Sequence, residues 1–156
     1  MSEEKEIIPL NELSDYTVMR TAMRMITVLY RFFHQHGYQI TPQQWSVLHS
    51  LWEEEGLCPS ELSAKTGRDR HNITRILNLL EKNGLIHRQV SPEDKRRSNI
   101  FLTSEGKTLK DKLVPMAGEF SKHIFAGFSR EEILQLQKLH ERMLVNIESF
   151  DLQSIP

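Results

Sequence analysis

The sequence predicts a mainly α fold, about six helices with a single two-stranded β-hairpin, and three observations carry that prediction. Apolar residues recur at helical spacing in long segments towards both ends of the chain. Two short helices joined by a tight turn at Gly67 occupy the middle. Immediately after them, apolar and polar residues alternate on both sides of the turn-rich run SPEDKRRSN, residues 91–99.

Taken in order, residues 1–11 are polar and read as a frayed arm. From about Ser14 to Phe33, Val18, Ala22, Met25, Ile26, Leu29, Phe32 and Phe33 form a helical stripe that Gly37 ends. Thr41-Pro42-Gln43-Gln44 is a helix start. Thr41 caps, Pro42 has its φ preset for the first helical position, Gln44 completes a capping box, and Ile40 with Trp45 forms the flanking staple. That helix is expected to run to about Glu54, bury Trp45, Leu48, Leu51 and Trp52, and end at Gly56. A short helix spans Pro59–Thr66, capped at Cys58 with Glu61 at the third position, and Gly67 stops it.

Asp69 caps the next helix, whose Ile73, Ile76, Leu77 and Leu80 make one apolar stripe. His71, Arg75, Asn78 and Lys82 lie opposite, with Thr74 at the edge. Gly84 ends the helix and Leu85-Ile86 returns to the core. Ile86, Arg88 and Val90, then Ile100 and Leu102, show the period of two expected of a hairpin. Thr103 opens a long helix through Leu109, Leu113, Met116, Phe120 and Ile124. Pro115 inside it predicts a kink or break near Val114. A capping box at Ser129 and Glu132, with Phe128 as staple, starts a last helix carrying Leu136, Leu139, Met143, Ile147 and Phe150.

Length and composition bound the rest. A chain of 156 residues suits one domain, and 38% apolar with 26% charged residues suits a packed core rather than disorder. No apolar run approaches the ~18–20 residues of a membrane span, and MSEEKEIIP is no signal peptide. A single cysteine excludes an internal disulfide and accords with a reducing compartment. These features predict a cytoplasmic protein without membrane contact. The net charge of −1 hides an asymmetry: Lys65–Arg97 holds nine Lys/Arg against four Asp/Glu, and the rest of the chain is acidic. One basic third beside an acidic remainder suits a polyanion partner.

Catalysis is not indicated. There is no G-x-S-x-G elbow, no phosphate-cradling glycine loop and no metal-ligand array, so no catalytic residue, cofactor or metal is expected. His34 and His36 lie two apart without a cysteine partner or an H-x-x-x-H pair, and read as surface residues. Cys58 reads as a stand-in for the Ser or Thr usual at a helix cap; a redox sensor is the sharper alternative.

The block ITRILNLLEKNGLIHR, the Asp-x-Arg of Asp94 and Arg96, and the Leu-Thr-x-x-Gly of Leu102, Thr103 and Gly106 stand in one order and spacing. Together they resemble the MarR-type winged helix-turn-helix transcription regulators, over Thr41 to about Lys107. The resemblance implies an intertwined homodimer, with residues 8–35 and 104–150 as dimerisation helices and 41–103 as a DNA-binding lobe. Its expected partner is double-stranded DNA with pseudo-palindromic half-sites about one helical turn (~34 Å) apart, and its expected action is repression. It also implies a small aromatic or anionic effector, bound between dimer core and DNA-binding lobe among Tyr30, Arg31, His34, Tyr38, Trp45, His49 and His123. The peroxide-sensing branch of that family carries its reactive cysteine in the first helix, where this chain has none.

Side-chain chemistry assigns the roles. His71, Asn72, Thr74, Arg75 and Asn78, on the same recognition helix as Arg70, reach towards base edges, with Arg75 suited to guanine and Asn72 or Asn78 to adenine. Ser60 and Lys65, together with Arg70, suit phosphates. In the hairpin tip, the resemblance implies that Asp94 holds a wing arginine in place, while Lys95, Arg96 and Arg97 supply charge, an arginine entering a minor groove. The alternatives are a winged helix used only for protein contacts, or a redox- or metal-responsive regulator.

Overall fold

The computed structural model describes residues 14–90 and 98–150. In these the order is α1 (Ser14–Gln35), α2 (Pro42–Glu53), α3 (Pro59–Thr66), α4 (Arg70–Lys82), β1 (Ile86–Val90), β2 (Ser98–Leu102), α5 (Ser104–Ile124) and α6 (Arg130–Glu148). The chain divides into two compact units, one ending at Ala117 and one beginning at Gly118. No described helix is long and apolar enough to cross a membrane.

Local chemistry sets the helix ends in the first unit. Thr41 Oγ1 accepts from Gln44 N at 3.2 Å, while Thr41 N donates to Gln44 Oε1 at 2.9 Å, closing the capping box. Cys58 N donates to Glu61 Oε2 at 2.7 Å. Gly67 ends α3 at φ 62°, a left-handed turn that a residue with a β-carbon enters only at a cost. Asp69 Oδ1 accepts from Asn72 N at 2.9 Å and starts α4.

These helices surround one core, to which Val47, Leu48 and Leu51 of α2, Leu62 of α3, Ile73 and Leu77 of α4, and Leu113 of α5 each contribute a fully buried side chain. The whole α4 stripe of Ile73, Ile76, Leu77 and Leu80 is buried, so truncating any one to Ala costs about 2–5 kcal/mol. Trp45 differs from expectation: it is half-buried, its ring 5.0 Å from Phe33 and 5.4 Å from Trp52. One face of it lines a cavity instead of completing the core.

The hairpin is antiparallel, pairing Ile86 with Leu102, Arg88 with Ile100 and Val90 with Ser98. Leu57 adds a bridge to Ile100 on the other edge of β2, with Gly56 N donating to Ile100 O and Ile100 N to Leu57 O, each at 2.9 Å. Sequence periodicity cannot register one bridging residue. Glu55 extends this anchor, accepting from Leu102 N at 3.2 Å and pairing with Lys107 Nζ at 2.9 Å.

The Leu-Thr-x-x-Gly motif is a joint between hairpin and helix. Thr103 Oγ1 donates to Gly84 O at 2.6 Å and accepts from Gly106 N at 3.1 Å, so Thr103 lies just before α5. Trp52 Nε1 donates to Gly106 O at 3.0 Å. The expected break at Pro115 does not occur: α5 runs unbroken from Ser104 to Ile124. Proline removes one backbone hydrogen bond, but Leu113 is fully buried while Met116 and Ala117 pack on the same core, and that burial holds the helix through the lost bond.

In the second unit, Ser129 and Glu132 close the expected capping box on α6. None of the residues of α6 is buried.

Candidate nucleic-acid interface

The candidate interface is built on α4. Helical periodicity puts its buried stripe on one side and leaves Arg70, His71, Asn72, Thr74, Arg75 and Asn78 exposed on the rest of its circumference. The structure therefore brings all six predicted residues onto one helix. Thr74 is partly committed, because its hydroxyl donates to Arg70 O at 2.9 Å. Asn72 Nδ2 donates to Asp69 Oδ2 at 2.5 Å. The backbone N–H of Asn72, then its side-chain amide, hold the Asp69 carboxyl below the usual range.

Arg88, which sequence reasoning left without a role, is the main addition. Its Nη1 pairs with Glu81 Oε2 at 2.6 Å and its Nη2 donates to Asn78 Oδ1 at 2.7 Å. The guanidinium thus ties β1 to the last turns of α4. A strand position on the same face as Ile86, following a helix with Asn78 and Glu81 three apart, is the available signal, but only the turn at Gly84 brings them together.

The predicted phosphate contacts flank this helix. Ser60, at the second position of α3, is exposed with its Oγ 2.9 Å from Cys58 Sγ. Lys65 is paired with Glu54 Oε2 at 2.6 Å, and that hydrogen bond raises its pKa. A phosphate must therefore compete with Glu54 for it. Asp94, Lys95, Arg96 and Arg97 lie outside the described residues.

A separate cavity of about 160 Å³ opens between α1, α2 and the α3–α4 turn, lined among others by Ile26, Leu29, Tyr30, Phe33, Trp45 and Arg68. Of the expected effector residues it gathers Tyr30 and Trp45. Arg31, His34, Tyr38, His49 and His123 are not in its lining. His49 lines a more open depression with Trp45, Glu53 and Lys65, and Tyr38 packs on the core. Arg68 was missed: its Nε is buried without a hydrogen-bond partner among the described residues. Its place in a turn next to a glycine gave no periodic signal.

Comparison with known proteins adds four findings. The sequence model of the MarR family matches residues 40–98. The chain is 34% identical over 114 residues to the HTH-type transcriptional regulator PrsX of Escherichia coli, covering 72% of this chain and 69% of that one. It is 32% identical over 110 residues to the organic hydroperoxide resistance transcriptional regulator of Bacillus subtilis (strain 168), covering 70% and 71% respectively. Among solved structures, the transcriptional repressor CouR bound to a 23-mer DNA duplex superimposes with a TM-score of 0.79 at 26% identity, covering 86% of this chain and 94% of that one.

Proposed function

The chain belongs to the MarR family of transcriptional regulators, and from that premise we propose that it is a homodimeric, ligand-responsive repressor of a pseudo-palindromic double-stranded operator. The observation that carries this reading is α4. Its apolar stripe is wholly buried while Arg70, His71, Asn72, Arg75 and Asn78 stand exposed together on a capped helix. A rigid helix bearing donors and acceptors on one side has the width and chemistry to read a major groove. Ser60, Lys65 and Arg70 supply phosphate contacts, and one arginine of the hairpin, Arg96 or Arg97, enters the adjacent minor groove.

Dimerisation is supported by what α6 and α1 leave uncovered. Leu139, Leu144, Val145 and Ile147 of α6 are at least 45% exposed, as are Met19, Met23 and Ile26 of α1. Exposed apolar side chains gathered on two helices mark interfaces, and a twofold partner sets two copies of α4 about one DNA turn (~34 Å) apart. The protein acts by binding rather than catalysis, in the cytoplasm, where a dimer across a promoter excludes polymerase.

The effector is a small aromatic anion in the cavity of Tyr30, Trp45 and Arg68. Aromatic walls bury its ring, and its charge satisfies the Arg68 Nε that is otherwise buried unpaired.

Titrating a labelled fragment from upstream of the protein's own gene tests the function. Nanomolar, sequence-dependent binding at moderate salt is expected, released by one or more of a panel of aromatic acids in the wild type but not in Arg68→Met. Weak binding that ignores sequence is the signature of a protein-contact module and refutes the regulator reading.

A further inference from the structure

We propose, resting on the reading of α4 as the base-reading helix, that its two asparagines present opposite hydrogen-bonding faces to DNA. Asn72 offers an acceptor and Asn78 offers donors, with Arg88 as the positioning residue for the second. The polarity follows from what each amide touches. A carboxylate only accepts, so the contact between Asn72 and Asp69 Oδ2 must be made by Nδ2, at 2.5 Å. Asp69 Oδ1 is meanwhile held by the backbone N–H of Asn72 at 2.9 Å. The amide is turned nitrogen-inward, and its Oδ1 remains for a partner.

At the other end of the exposed face the situation is reversed. A guanidinium only donates, so the atom 2.7 Å from Arg88 Nη2 is Asn78 Oδ1, which leaves both Nδ2 hydrogens for a partner. Arg88 cannot easily turn away, since its other arm is in an ion pair with Glu81 at 2.6 Å. Each charged neighbour also polarises the amide it holds: Asp69 makes the Asn72 oxygen a better acceptor, and Arg88 makes the Asn78 nitrogen a better donor. Both asparagines are exposed.

In the major groove, donors are the amino groups of adenine and cytosine. The acceptors are purine N7, guanine O6 and thymine O4. Asn72 therefore reads an amino group, while Asn78 reads N7 or a carbonyl oxygen and favours guanine, which has two acceptors side by side. The two-point adenine contact available to a free asparagine is not the one for which Asn78 is set.

The test deletes single groups from the duplex that the wild-type protein selects from a random DNA pool. Purine N7 is removed with 7-deazapurines, thymine O4 with 5-methyl-2-pyrimidinone, adenine N6 with unsubstituted purine, and cytosine N4 with 2-pyrimidinone. Removing one acceptor is expected to cost the wild type roughly fivefold in affinity and Asn78→Ala nothing; removing one amino group is expected to do the same for Asn72→Ala. Arg88→Met abolishes the Asn78 coupling and Arg88→Lys, which still only donates, restores it. Asp69→Asn keeps the cap, since asparagine caps as well as aspartate. The amide that this substitution introduces then donates to Asn72 Oδ1 and turns that side chain over, moving its coupling from an amino group to an acceptor.

Coupling of Asn78 to an amino group, or an Asn72 coupling that Asp69→Asn leaves unmoved, overturns the proposal while the base-reading roles stand. Asparagines that couple to no base group in a duplex still bound specifically overturn those roles and the proposal together. A wild type that selects no motif overturns the regulator reading as a whole.

Discussion

Gly106 and Leu85 meet backbone to backbone: a β-carbon at 106 would lie 2.1 Å from the Leu85 carbonyl oxygen. This approach seats α5 against the turn between α4 and β1 and explains why glycine stands in the Leu-Thr-x-x-Gly motif.

Gly106→Ala is expected to destabilise the fold by about 1–3 kcal/mol, because the clash is with main chain that cannot rotate aside and outweighs alanine's better helix propensity. Gly118→Ala, in the same helix with open space at its β-position, is expected to stabilise by about 0.5–1 kcal/mol. Urea denaturation of the two variants measures the contrast, and equal effects would count against the contact.

Acid should uncap α4. Asp69 is held below the ordinary carboxylate range by Asn72's backbone N–H and then its side chain. A depressed folded pKa gives stability that is present above the unfolded value, near pH 4, and lost as pH falls through the folded one. Asp69→Ala is expected to melt below the wild type at neutral pH, with the gap closing below about pH 4. Melting curves across that range decide it, and a constant gap contradicts the assignment.

Dimerisation should yield to charge on α6. Val145→Asp with Ile147→Asp places carboxylates on side chains that are 63% and 64% exposed, so folding of the first unit is spared. Sedimentation is expected to show a dimer for the wild type and a monomer for the variant, with operator affinity lost in parallel.

Base and backbone contacts should separate in a salt series. Arg75→Ala is expected to cost about 1–3 kcal/mol and relax preference at one base pair. Arg96→Ala with Arg97→Ala is expected to weaken operator binding and reduce the salt slope by up to about 2. Fluorescence anisotropy from low to moderate salt distinguishes them, and an unaltered slope removes the hairpin tip from the interface.

Much of this was legible in the sequence because its causes are local. Capping residues and glycines satisfy or break backbone hydrogen bonds within a few residues, so α3 could be placed at Pro59–Thr66 and α4 after Asp69 without tertiary information. The α4 stripe was legible for the same reason, since burial follows a period of 3.6. The candidate base-reading residues were read as whatever that stripe excluded.

The sequence by itself determined which segments are helices, which side of α4 is buried and where basic charge gathers. Only the tertiary structure decided that α5 passes through Pro115, that Leu57 bridges β2, that Arg68 joins Tyr30 and Trp45, and that Arg88 grips Asn78. The division has one physical reason. Capping and periodicity act over one or two turns of chain, whereas these contacts join residues that are neighbours only after the chain has folded back on itself, and no pattern of spacing records such neighbours.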